Sequence, residues 1–153
     1  LPSPDQLKSQ MYTALAANAK GIFWFAMDST GASGITFLRD DMGNYLEPQW
    51  SALIGLSAEY ATIQPYLIAQ SNDVSVISPS EGAYARRWTK SGAPEHLLVI
   101  VNPRYNSQTI TINWPLATQN YSSLFGSPAL TFSTGQISVA LGGYKVGVYK
   151  FTN

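Results

Sequence analysis

The sequence predicts an α+β chain built in two parts: a helix–strand–helix slice of an alternating α/β protein over residues 1–70, and an antiparallel β-sandwich over residues 71–153. Three observations predict it. Residues 22–27, Ile-Phe-Trp-Phe-Ala-Met, form an unbroken apolar run with no polar face, the pattern of a strand buried on both sides. Two stretches with helical periodicity flank that run. From Ser71 onward the period falls close to two and turn residues recur, as in an all-β module.

The first helix is clearly punctuated. Ser3 stands at the N-cap, Pro4 suits N1, and Gln6 completes a Ser-x-x-Gln capping box. Leu7, Met11 and Leu15 recur every four residues, with Ala14 and Ala19 widening the stripe. Lys20 suits the negative end of the helix dipole, and Gly21 is the expected C′ residue. The strand 22–27 follows at once. The loop from Asp28 to Glu47 carries Gly31, Gly34 and Gly43, and at that length it reads as functional or lid-like. A second helix starts near Pro48, again at N1. Trp50, Leu53, Ile54, Ser57, Tyr60, Ala61 and Gln64 trace a mostly apolar face, and Pro65 is expected to kink or end the helix.

The second part reads as seven or eight short strands. Val74 and Val76 start one; Tyr84, Arg86 and Trp88 alternate with Ala83, Ala85 and Arg87. Leu97 to Val101 is continuous and apolar, as in a central strand. Ile110, Ile112 and Trp114 alternate with polar residues, and Leu124-Phe125, Leu130 with Phe132, and Ile137 with Val139 and Leu141 continue the series. Gly142-Gly143 is a two-residue hairpin signal. Beyond it Val146 and Val148 face one way, Tyr149 and Phe151 the other.

The run 22–27 has no neighbouring strand of its kind. Left unpaired, it would orphan up to about a dozen backbone groups at roughly 1–3 kcal/mol each. That rivals the whole stability of a typical domain, about 5–15 kcal/mol. The expected partner is the missing portion of a larger protein, or a partner chain that pairs with residues 22–27.

Composition narrows the function class. The apolar share is 45%, sufficient for a core, but the charged share is only 12%, against about 25% on average. Formal net charge is zero, whereas a nucleic-acid binder carries a basic excess; that class is excluded. Arg86-Arg87 is the sole adjacent basic pair and reads as a solvated or ion-paired face. With no cysteine, disulfides and thiolate metal sites are ruled out. The apolar runs fall short of the roughly 20 residues that span a bilayer. A start at Leu1 rather than Met points to processing or an internal fragment. Low charge with abundant Ser, Thr, Asn, Gln, Tyr and Trp is the surface chemistry of extracellular sugar-handling proteins, so the expected location is secreted or periplasmic.

The candidate chemistry is sparse. Trp24 and Asp28 fall at the carboxyl end of the buried strand, where ligands gather in parallel α/β folds. An indole there suits the C–H face of a sugar ring; the competing reading is a core tryptophan, and for Asp28 a turn cap. Asp40-Asp41 before Gly43-Asn44 reads as a polar turn, without the further ligands a metal needs. His96, the single histidine, has no nucleophile elbow near it. Gly31-Ala32-Ser33-Gly34 lacks the Lys-Ser/Thr of a P-loop. No cofactor or metal is implied. Tyr84, Trp88, Tyr105, Trp114, Tyr121 and Tyr144 offer aromatic surface on the sandwich. Trp88 and Trp114 are the candidate glycan platform; ordinary inter-sheet packing is the alternative.

The order of these features resembles the C-terminal end of a retaining (β/α)8-barrel glycoside hydrolase. The resemblance is carried by Ala16 to Phe25, by Asp41 to Trp50, and by the tail from Val74 to Phe151. Within that tail, Leu98-Val99-Ile100-Val101-Asn102-Pro103 and Gly142-Gly143-Tyr144-Lys145-Val146-Gly147-Val148-Tyr149 look like the sandwich appended to such enzymes. The resemblance implies an incomplete α/β-barrel end-piece: residues 1–20 as the seventh barrel helix, 22–27 as the eighth strand, 48–69 as the eighth helix. It implies that Trp24 floors a sugar site and that both catalytic carboxylates precede Leu1, so no residue here is catalytic. The expected function is a carbohydrate-active, glycoside hydrolase-like fragment, inactive alone, whose sandwich braces the barrel. The alternatives are a stand-alone glycan-binding or adhesion module docking through residues 1–70, and a purely structural subunit.

Overall fold

The computed structural model describes residues 2–22, 48–79, 82–90, 92, 94–116 and 120–152. The expected strand 22–27, apart from Ile22, and the loop 28–47 lie outside the described residues.

Helix α1 spans Pro4–Ala16. Its capping box forms as expected: the Ser3 hydroxyl accepts from the Gln6 amide at 3.2 Å, and the Gln6 carboxamide accepts from the Ser3 amide at 2.8 Å. Leu7, Met11 and Leu15 are buried. The end differs from the Lys20-Gly21 expectation. Asn18 takes the left-handed conformation at φ 72°, its amide donates to Leu15 O at 2.8 Å, and the Ala19 amide donates to Ala14 O at 2.9 Å. This is a Schellman closure with asparagine in the place usually held by glycine, and it stops the helix before Lys20 is reached.

Helix α2 spans Gln49–Leu67, with Pro48 as the N-cap rather than N1. Pro65 lies in its last turn, so the helix ends just after it, as expected. The buried face is Leu53, Leu56, Ile63, Tyr66 and Leu67. The expected face was rotated: Ile54 is 57% exposed, and Ser57, Ala61 and Gln64 are exposed too. Apolar residues lie all around this helix, so periodicity alone carried little directional signal.

Nine strands follow among the described residues: β1 Gln70–Asp73, β2 Val76–Ser78, β3 Tyr84–Thr89, β4 Glu95–Val101, β5 Gln108–Asn113, β6 Asn120–Leu124, β7 Thr131–Ser133, β8 Gln136–Leu141 and β9 Val146–Thr152. They form a five-stranded sheet in the order β1-β3-β4-β9-β6 and a four-stranded sheet in the order β2-β5-β8-β7. Every pairing is antiparallel. The apolar strand β4 is central, as its run of Leu and Val predicts. The Gly142-Gly143 hairpin expectation is corrected: β8 and β9 belong to different sheets, so these glycines carry the chain across the sandwich. Gly143 is needed for close approach, since a Cβ there would lie 2.0 Å from the Tyr105 carbonyl oxygen.

The described residues form three layers and two cores. Ile110, Ile112, Ile137, Val139 and Leu141 meet Leu98, Ile100, Tyr149 and Phe151 between the sheets. The other face of the five-stranded sheet, with Trp88, Leu97, Val99, Val101, Val146 and Val148, is covered by Leu7, Met11, Leu15, Leu56, Ile63 and Leu67 of the helices. As expected, Val146 and Val148 face opposite to Tyr149 and Phe151. The chain is thus α+β: a helical layer on an antiparallel sandwich.

Candidate functional site

Trp24 and Asp28 lie outside the described residues. The glycan-platform expectation for Trp88 and Trp114 is corrected. Trp88 is 0% exposed and Trp114 2%, so neither presents a face to a ligand. Trp88 projects from β3 toward the helices and joins their core. Trp114, just after β5, packs on Phe151 at 4.6 Å and beneath the Arg87 guanidinium at 5.7 Å. Period-two alternation shows which residues share a face; the sheet of Trp88 is covered on both sides, and Trp114 shares the face of Ile110 and Ile112 that turns to the inter-sheet core.

The helix–sheet junction is where polar chemistry concentrates. Arg86 is buried at 9% exposure, not solvated. Its Nε donates to Ala16 O at the end of α1, Nη1 donates to the Ser71 hydroxyl at 3.2 Å, and Nη2 pairs with Asp73. Ser71 in turn donates to Asn18 Oδ1 at 2.9 Å. A cation at the carbonyl end of a helix also meets the negative pole of its dipole. At the other end of α1, Lys145 pairs with Asp5 at 2.7 Å. Between the helices, Glu59 accepts from Lys8 at 2.7 Å and from the Tyr12 hydroxyl at 2.9 Å. Burial, reinforced by Glu59, pushes the Tyr12 hydroxyl far above its ordinary range.

A third junction joins α2 to the end of the sheet. Glu95 pairs with Lys150 at 2.9 Å and Lys90 at 3.4 Å, and accepts from the Tyr66 hydroxyl at 2.9 Å. The Lys150 contact, then Tyr66, holds the Glu95 carboxyl down to about 2. His96 meets Thr89 at 3.0 Å; burial first, then the Arg87 charge, lowers its pKa. Arg87 itself is half-buried, with Nε and Nη1 unpartnered.

Among the described residues these polar contacts join α1 and α2 to each other and to the sheet. Every acidic side chain among the described residues, Asp5, Glu59, Asp73 and Glu95, is ion-paired. Among the described residues no group of His, Asp and Glu gathers to hold a metal, and no helix is long and apolar enough to cross a membrane. Sequence reasoning missed the Arg86 clasp. The available signal was the period of two: Arg86 lies two residues before Trp88 on the same face of β3.

No family model matches the chain, and no curated protein sequence does. Solved structures do match. A noncanonic maltogenic alpha-amylase from Thermotoga neapolitana aligns with a TM-score of 0.62 at 12% identity, over 97% of this chain and 37% of that one. A candidate alpha-galactosidase from Bacteroides fragilis gives 0.54 at 16% identity, over 99% and 29%. A glycoside hydrolase family 30 subfamily 8 xylanase from Clostridium acetobutylicum gives 0.51 at 13% identity, over 100% and 41%. The likeness is one of fold, and the chain spans well under half the length of each of these neighbours.

Proposed function

We propose that the chain is the C-terminal portion of a carbohydrate-active, glycoside hydrolase-like protein, non-catalytic by itself, in which the sandwich braces an α/β barrel through α1 and α2. One observation carries the reading: nearly all of this chain aligns with 29–41% of three glycoside hydrolases, leaving most of each neighbour's fold without a counterpart here. The helix–sheet clasps support the bracing role. They fix the sandwich on the two helices at three places, and bury a continuous apolar core between them.

In this reading residues 22–27 add a strand to the neighbouring barrel portion, and Trp24 and Asp28 sit beside its sugar site. The resemblance supports Trp24, and its place just past the expected strand supports Asp28. Secretion or a periplasmic location is likewise a proposal, resting on composition.

The test is the intact mass of the natural protein together with an aryl-glycoside assay of this chain. A natural mass several-fold above 16.6 kDa, with no turnover by the isolated chain, is the expected result. A natural product of 16.6 kDa, or turnover that co-purifies with the chain through successive columns, would overturn the proposal.

A further inference from the structure

We propose that Asn120 is the acceptor of an N-linked glycan, and that the glycan shields an unprotected edge of the five-stranded sheet. Asn120-Tyr121-Ser122 is an Asn-x-Ser triplet with no proline between, the pattern such transfer requires. No other asparagine in the sequence is followed two places on by serine or threonine. Asn120 opens β6, Ser122 follows it on the same face, and both are exposed. Neither side chain makes a hydrogen bond among the described residues. Tyr121, between them, points the other way. Its ring lies 5.4 Å from Phe132 and 5.8 Å from Phe151, and its hydroxyl accepts from the Leu130 amide at 3.1 Å. The inward residue thus fixes the strand, while the acceptor amide stays free in solvent.

The position has a physical use. Four strands lie at sheet margins: β1 and β6 in one sheet, β2 and β7 in the other. Natural sheets blunt such margins with charge, proline, bulges or short length. β2 and β7 have three residues each, β2 has a shift in register and is followed by Pro79, and β1 carries Asp73. β6 has five residues, Asn-Tyr-Ser-Ser-Leu, with no charge and no proline, and its register with β9 is unbroken. It is the longest of the four margins and has none of these devices. A formal net charge of zero adds to the liability, since no long-range repulsion holds a second copy away. A bulky, solvated glycan on the first residue of β6 supplies the obstruction that charge does not.

The transfer is simple in its bonds. The Asn120 side-chain nitrogen joins the anomeric carbon of an oligosaccharide carried on a polyprenyl diphosphate. The bond from that carbon to the diphosphate oxygen breaks, polyprenyl diphosphate leaves, and the nitrogen gives up one proton. Ser122 supplies the hydroxyl that the transferase reads. The modification rests on the proposal of secretion, because both donor and transferase belong to the secretory route.

The test is a peptide map of the natural protein before and after peptide N-glycosidase F, with a record of whether the protein lies outside the cytoplasm. The peptide that holds Asn120 is expected to carry sugar mass that the enzyme removes, turning the amide into a carboxyl. Ser122→Ala should lose that mass and Ser122→Thr keep it, both with unchanged Tm. Enzymatic removal should raise self-association, read by light scattering. A secreted protein with a bare Asn120 would overturn the acceptor and leave the location standing; a cytoplasmic protein with a bare Asn120 would overturn both. Sugar whose removal leaves self-association unchanged would overturn the shielding role.

Discussion

Replacing Arg86 with methionine tests the clasp that sets α1 on the sheet. Methionine keeps most of the aliphatic volume and removes the three hydrogen-bonded contacts to Ala16 O, Ser71 and Asp73. They are unequal. The Arg86 side chain is 11% exposed and that of Asp73 86%, so the ion pair is nearly a surface one, worth about 0–1 kcal/mol. The bond to Ala16 O is buried, and charge-assisted bonds of that kind contribute roughly 1.5–3 kcal/mol. The helix-end charge interaction adds about 0.3–1 kcal/mol. The expected loss is about 3 kcal/mol, a fall in urea midpoint of about 1.5 M for a slope near 2 kcal/mol/M. Tryptophan fluorescence reports it directly, because Trp88 lies in the core that α1 covers. Asp73→Asn should cost under about 1 kcal/mol. If Arg86→Met and Asp73→Asn cost the same small amount, the clasp is only a surface ion pair and the bracing argument loses its main polar contact.

Other expectations follow from the same geometry. Gly143→Ala drives a Cβ into the Tyr105 backbone and should cost at least about 1–3 kcal/mol, read as a lowered urea midpoint. Trp88→Ala opens a fully buried cavity and should cost about 3–5 kcal/mol, whereas an exposed platform residue would cost almost nothing; a thermal melt separates the two. The Glu95 carboxyl is depressed from 4.5 to about 2 in the folded chain, so its stabilisation is complete above pH 4.5 and is lost as pH falls toward 2. Glu95→Gln should therefore flatten the acid limb of stability between those values, measured by urea titration at each pH. The His96 pKa is lowered below its ordinary 6.5 on folding, so the unfolded chain binds the extra proton first and His96→Gln should reduce the stability lost as pH drops through that range.

Much of the architecture was legible because it rests on local rules. The Ser3–Gln6 box, the Leu7-Met11-Leu15 stripe and the central position of Leu97–Val101 all follow from spacing and side-chain type. What escaped depends on contacts distant in sequence. The end of α1 turned on whether Asn18 or Gly21 took the left-handed position, and both are chemically competent. The α2 face was misread because Ile54 and Leu56 are equally apolar, and only the sheet beneath decides which is covered. The glycines at 142 and 143 look like a hairpin, yet Gly143 answers to Tyr105, far off in the chain. Trp88 lies on a strand as expected and Trp114 just past one, but both fall on the wrong side of the water boundary. The Arg86 clasp was only half visible: an arginine beside a second arginine suggests a solvated or ion-paired face, and the Asp73 pair fits that, but the helix-end carbonyl and the serine it also reaches are distant in sequence.

The five-stranded sheet is covered on both faces, and this governs mechanics. Separating α1 and α2 from it would strip an entire apolar layer bare, so the segment between Leu67 and Gln70 does not act as a hinge. A protease that nicked the backbone there would leave two pieces still bound as one body. In the proposed reading, a barrel portion anchored to α1 and α2 would carry the sandwich as a rigid lever arm, not as a module swinging on a tether.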